Sequence, residues 1–115
     1  MNTSMLAKVF GVVFLVIGVL GFVPGITSNG HLLGIFEVDT IHNIIHIVSG
    51  IAALAMAGSS AMLFFKGFGV VYLIVTIVGF LQGDTVLNII GVNMADNLLH
   101  LVVSLAALYI GFAGE

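Results

Sequence analysis

Four long stretches of the chain are dominated by apolar positions: roughly Met5–Val23, Thr40–Ala57, Phe68–Leu81 with flanks, and Ala95–Phe112. A membrane span takes about 20 apolar residues. Lipid offers no partner for backbone N–H and C=O groups, so each stretch is expected as a helix. The third stretch is the shortest by composition, with a start as early as Ala61 permitted by its flank. The intervening segments "PGITSNGHLLGIFEVD" and "GDTVLNIIGVN" are rich in turn formers, and "AGSSAMLFFKG" joins the second stretch to the third.

Composition sharpens this pattern. Of 115 residues, 61% are hydrophobic and 6% charged, with a mean hydropathy of +1.34. A soluble domain carries roughly a quarter charged residues, so this chain is expected in a bilayer as one membrane domain covering 1–115. Two lysines and a net charge of −3 exclude a phosphate-binding surface and with it nucleic acid. Without cysteine there is neither disulfide nor thiolate site. Lys8 and Lys66 flank the starts of the first and third helices, whereas Glu37, Asp39, Asp84 and Asp96 fall on the other side. The positive-inside rule then puts both termini in the cytoplasm.

Two tandem repeats account for most of the sequence. "GVVFLVIGVLGFVPG" (11–25) matches "GVVYLIVTIVGFLQG" (69–83) at seven of fifteen positions. "VDTIHNIIHIVSGIAAL" (38–54) matches "VNMADNLLHLVVSLAAL" (92–108) at seven of seventeen. The offset falls from 58 to 54, so the second outer loop is four residues shorter. The expected fold is an all-α integral membrane protein. It is a four-transmembrane-helix bundle of two parallel helix-pair repeats, about 11–56 and 69–110, related by a pseudo-twofold axis along the membrane normal. Small residues at Gly11, Gly18, Gly21 and Gly25, and at Gly69, Thr76, Gly79 and Gly83, keep to one stripe. Such stripes let helix backbones approach closely where lipid gives no hydrophobic drive. Five phenylalanines on helices one and three (Phe10, Phe14, Phe22, Phe68, Phe80) suit lipid or partner contact.

Against this apolar background the polar positions stand out. On a helix, residues i and i+4 share a face, so "HNIIH" places His42 and His46 one above the other, with Asn43 beside them and Ser49 one turn deeper. "DNLLH" does the same with Asp96, His100, Asn97 and Ser104. Across a twofold axis His46 opposes His100, and His42 opposes Asp96, in the outer half of the membrane. Asp39 and Asn93 suit N-caps, and Asp96 equally suits a first helical turn. Asn43 and Asn97 suit interhelical hydrogen bonds, and His31 a solvated loop. Ionisable groups two turns into a span, as His46 and His100 are, are rare and usually functional.

Two cofactors match the spacing. One transition metal ion, zinc, copper or iron, takes His42, His46, Asp96 and His100, with Asn43, Asn97, Ser49 and Ser104 behind them. Alternatively His46 and His100 ligate a haem from opposite faces. Two rival readings use the same residues. In one, the chain is an accessory subunit of a larger membrane complex with the polar stripe as helix glue; in the other, a homo-oligomer carries an ion or proton relay. No serine constellation, phosphate loop or "HEXXH" motif points to an enzyme.

The stretches "GIFEVDTIHNIIHIVSGIAAL", "GFLQGD" and "NMADNLLHLVVSLAAL" resemble the small bacterial membrane proteins grouped as domain of unknown function 4383. The likeness runs from about Gly11 to Phe112. It implies four spans and a prokaryotic cytoplasmic membrane, and brings no activity and no functional residues.

Overall fold

The computed structural model describes residues 1–113. Helices α1 (Thr3–Leu20), α2 (Thr40–Met56), α3 (Ala61–Gln82) and α4 (Met94–Ala113) carry the chain. Helices α1, α3 and α4 are each long and apolar enough to cross a bilayer, which marks a membrane protein. Helix α2, at 17 residues, is the shortest of the four.

The third helix takes the early start its flank permits, at Ala61, and at 22 residues is the longest of the four and not the shortest. It runs through Lys66, whose ammonium lies 5.2 Å from the centre of the Phe112 ring. Its aliphatic stem lets the charge reach the helix end, so a lysine near a terminus does not shorten the apolar helix. Glycine closes the same helix at its other end, where Gly83 adopts φ +88.

Both connections at the far end of the bundle are hairpins. The first contains β1 (Thr27–Ser28), β2 (His31–Leu32) and β3 (Phe36–Glu37), in that antiparallel order. The second pairs β4 (Thr85–Val86) with β5 (Ile90–Gly91). The β2–β3 turn has Leu33 and Gly34 at φ 55 and 70; the β4–β5 turn has Leu87 and Asn88 at φ 55 and 56. Each turn closes with the same bond, Ile35 N–H to Leu32 O and Ile89 N–H to Val86 O, both 3.0 Å. The additional length of the first connection is β1 with its Asn29-Gly30 turn, also left-handed at both residues, the signature of a two-residue type I′ hairpin.

Helix α1 packs closely along α2, and α3 along α4, whereas α2 and α3 meet only lightly. Glycines explain the tight pairs. A Cβ at Gly11 would strike Leu54 and the Gly50 carbonyl, and one at Gly69 would strike Leu108. A Cβ at Gly21 would fall on Asn43 Oδ1, and one at Gly79 on Asn97 Oδ1. A Cβ at Gly18 would likewise meet Ile47 and the Asn43 carbonyl. Gly25, by contrast, sits in the loop at φ +90 with open space around it.

The phenylalanines divide. Phe14, Phe64, Phe65 and Phe68 are buried with Tyr72 in one aromatic core, and Phe10 packs partly buried against them. Phe10 and Phe14 stack at 4.9 Å and Phe68 stacks on Tyr72 at 3.9 Å. Phe22 and Phe80 are exposed. The expected outward face of five phenylalanines is therefore corrected for Phe10, Phe14 and Phe68. They turn inward because the glycine-lined pairs α1–α2 and α3–α4 are joined across the wider space between α1 and α3. The rings of Phe10 and Phe14 fill that space against Phe64, Phe65, Phe68 and Tyr72.

Candidate metal centre

Above that aromatic core, towards the hairpin end, the interior turns polar. His42 and His46 project from successive turns of α2, and His100 faces them from α4. Their ring centres lie 4.6 Å (42 to 46), 5.5 Å (42 to 100) and 6.0 Å (46 to 100) apart. All three are almost sealed from outside, with exposures of 1%, 4% and 2%. One ring nitrogen from each can be chosen so that all three lie within 4.8 Å of one another.

Hydrogen bonding to these rings is sparse. His42 Nδ1 lies 3.1 Å from the carbonyl of Gly91 in β5. A carbonyl only accepts, so Nδ1 carries the proton and donates. Nε2 of His42, Nδ1 of His46 and both nitrogens of His100 are buried without a hydrogen-bond partner. A proton on His42 Nε2 as well would leave an unmatched buried cation, which is costly, so that nitrogen presents a lone pair.

The support behind His42 is built by the loops. Asp39 caps α2 by accepting the His42 backbone N–H (2.8 Å), and its other carboxylate oxygen accepts the Gly91 N–H (2.7 Å). One carboxylate thus fixes both the helix start and the strand whose carbonyl orients the ring. Outer partners of this sort set the tautomer and direction of a ligating histidine.

Asp96 is buried but stands outside the triad. Its backbone N–H donates to Asn93 Oδ1 and its Oδ2 accepts the Asn93 N–H, both 2.9 Å. This reciprocal pair is a capping box at the start of α4. Asn43 and Asn97 face the glycines of the neighbouring helices, Gly21 and Gly79, and not the rings. Ser49 donates to the Ile45 carbonyl and receives the Tyr72 hydroxyl, each at 2.8 Å. Ser104 donates to Leu101 O at 3.0 Å. Among the described residues none of these four bonds to a histidine ring. His31 is half-buried in β2, its Nδ1 2.9 Å from Asn29 O.

Two residues beside the triad escaped sequence reasoning. Tyr72 sets its ring edge-on to His100 at 5.6 Å, in the place where the matching stretch has Phe14. That hydroxyl, present in one stretch and absent from the other, was the available signal. Gly91 had none, because its role is a backbone carbonyl brought in from 49 residues away.

No curated protein and no solved structure matches the chain. The family described as domain of unknown function (DUF4383) matches residues 4–113, and the chain belongs to that family.

Proposed function

We propose that this protein holds a single transition metal ion through His42, His46 and His100, inside a bundle that crosses the membrane four times. The observation that carries the reading is the convergence of three buried imidazoles, each with at least one buried ring nitrogen that lacks a partner. In a tetrahedral zinc site, nitrogens about 2.0 Å from the metal lie roughly 3.3 Å apart. Side-chain rotation closes the remaining gap. Three imidazoles suit zinc, copper or iron, and leave a coordination position for another ligand. A metal there supplies Lewis acidity or, for copper and iron, a redox centre. Asp96 is left out of the proposed ligand set because its carboxylate serves the α4 cap.

Haem is disfavoured by the same geometry. A macrocycle between His46 and His100 needs a clear slot, and the His42 ring stands 4.6 Å and 5.5 Å from those two rings. Helix glue accounts for Ser49, whose bond with the Tyr72 hydroxyl crosses from α2 to α3, but not for the three rings, whose one bond runs to a hairpin.

We read the fold as a duplication, with both termini cytoplasmic and the metal towards the outer face. The recurrence of hairpin, cap and asparagine-on-glycine contact 54 to 58 residues apart supports it. Helix α2 spans with its partner α1, although shorter than an ordinary span.

Cobalt titration of metal-stripped protein tests the proposal. A three-histidine site gives the intense visible bands of tetrahedral Co(II) at one ion per chain, and removal of any one imidazole abolishes them. Uptake that is unsaturable, or unchanged in a His100→Phe variant that keeps its helix content, contradicts it.

A further inference from the structure

Both hairpins carry apolar side chains on two faces. Leu32, Phe36 and Val38 of the first, and Val86, Ile90 and Val92 of the second, turn inward and are buried or half-buried. Leu33 and Ile35, and Leu87 and Ile89 at the matching places of the second turn, point out with 55–64% of their surface uncovered. A hairpin that meets water on one side alternates apolar-in with polar-out. Here both sides are apolar, and in both hairpins. The two leucines stand at φ 55, where glycine or asparagine is the usual turn residue. Leucine in both turns means that the side chain is kept although the backbone disfavours it.

The backbone of these turns makes little call on water. Leu33 N–H donates to Ile26 O at 2.8 Å, and Ile35 N–H to Leu32 O at 3.0 Å. Leu87 N–H donates to the Gln82 side-chain Oε1 at 2.7 Å, and Ile89 N–H to Val86 O at 3.0 Å. All four exposed apolar residues thus have their donors bonded within the chain, as a lipid environment requires and an aqueous one does not. Depth agrees with this. Val86, Ile90 and Val92 pack against Val75 and Val78, two turns and one turn before α3 ends at Gln82. At 22 residues α3 is about 33 Å long, scarcely more than the ~30 Å hydrocarbon core. The second hairpin therefore lies beside the last turns of a span-length helix, not above it. The first does the same on α1, where Leu32, Phe36 and Val38 share a cavity of about 150 Å³ with Ile17 and Leu20. Asp84 and Asn88 are exposed, which suits the headgroup layer and keeps the hairpin backbone at that level.

We propose that both hairpins lie in the headgroup layer of the leaflet at their end of the bundle, with Leu33, Ile35, Leu87 and Ile89 inserted among the acyl chains. Lipid, not water, then surrounds the end of the bundle that holds the three histidines. A protein partner would account for the apolar tips but not for the internal bonding of all four N–H groups. The inference rests on the reading that the bundle crosses a membrane, and it is independent of the metal.

The chain has no tryptophan, so one introduced residue reports its own surroundings. The probes are Ile35→Trp and Ile89→Trp in phosphatidylcholine vesicles. Val70→Trp, 47% exposed near the middle of α3, is the reference for spanning. The quenchers are lipids brominated near the headgroup end or near the methyl end of the acyl chain, and iodide on both sides of the vesicle. Both hairpin tryptophans are expected to be quenched about twofold more by headgroup-end than by methyl-end bromine, as for side chains immersed about 5–10 Å. Iodide should quench them about tenfold less than dissolved N-acetyltryptophanamide, since an anion does not enter the acyl layer. Should a tryptophan lower the helix content, cysteine at the same position, unique in this chain, carries a bimane label that repeats the measurement. Iodide quenching equal to that of the free compound overturns the proposal. Protection from iodide and from both bromolipids also overturns it, and would put a protein surface over the hairpins. Val70→Trp quenched chiefly by methyl-end bromine upholds the spanning reading whichever way the hairpins fall. Val70→Trp untouched by either bromolipid removes that reading, and this inference with it.

Discussion

The Nδ1–H of His42 is held by the carbonyl of Gly91, 3.1 Å away and 49 residues further along the chain. That bond ties the beginning of α2 to the second hairpin and leaves the ring's other nitrogen directed inward without a partner. The behaviour of the triad therefore depends on a strand that belongs to neither of the helices supplying it.

A Cβ at Gly91 falls on the Glu37 carboxylate, with Asp39 Oδ2 3.5 Å away. The glutamate tip can swing aside, so Gly91→Ala is expected to be tolerated. The bulkier Gly91→Leu crowds the Asp39 carboxylate as well. It is expected to displace β5, release His42 and weaken metal binding about 10- to 100-fold, the usual loss when an outer partner of a ligating histidine is removed. Competition with a chelator, beside a circular-dichroism spectrum showing intact helices, measures it. Unchanged affinity in Gly91→Leu would dismiss the Gly91 carbonyl as an orienting group.

Asp39 does two things at once, so its removal should cost more than a cap. Asp39→Ala loses the cap on the His42 N–H, about 1 kcal/mol, and leaves the Gly91 N–H unpaired, about another 1–3 kcal/mol. Asn93→Ala loses the corresponding cap of α4 and a bond from its Nδ2 to the Ile35 carbonyl, but that carbonyl is exposed and water replaces the lost donor. Unfolding in graded detergent should place Asp39→Ala below Asn93→Ala in stability, and equal losses would show that the Asp39–Gly91 bond contributes little.

Glycines that must be small contrast with Gly67, which need not be. Gly21→Ala and Gly79→Ala drive a methyl into Asn43 and Asn97, an overpacking expected to cost about 1–3 kcal/mol each. Shortening the partner, as in Gly79→Ala with Asn97→Ser, should recover part of the loss. Gly67→Ala meets open space and is expected to be neutral or stabilising by up to about 1 kcal/mol, from helix propensity alone. Thermal unfolding of the four variants checks the ranking.

Much of this site was legible in "HNIIH" and "DNLLH". Helical periodicity alone places His42 over His46, and internal similarity places His100 opposite. Asp96 could not be assigned that way, since the same position serves a ligand or a first-turn cap. Asn93, three residues before it, decided in favour of the cap because the local bond forms without any tertiary arrangement. The length of α3 was underestimated at Lys66, where a charge reads as a boundary although its stem packs along the helix end. Tyr72 and Gly91 act across sequence separations of 23 and 49 residues, which depend on how α3 and the second hairpin fold back. The turns with Leu33 and Leu87 at positive φ were equally hidden, since leucine is disfavoured there.

Tyr72 gives a control that separates the hydroxyl from the triad. Ser49 keeps its bond to the Ile45 carbonyl when the phenol is removed. Tyr72→Phe is therefore expected to lower stability by about 0.5–1.5 kcal/mol and to leave metal stoichiometry unchanged. Loss of metal in this variant would make the hydroxyl part of the site.

The most direct test of the central claim is metal per chain, measured by elemental analysis on protein purified in detergent without chelator, beside the His46→Ala/His100→Ala double variant. The account predicts close to one zinc, copper or iron per chain, absent from the variant while its helix content persists. No metal in either protein, or equal metal in both, would contradict it.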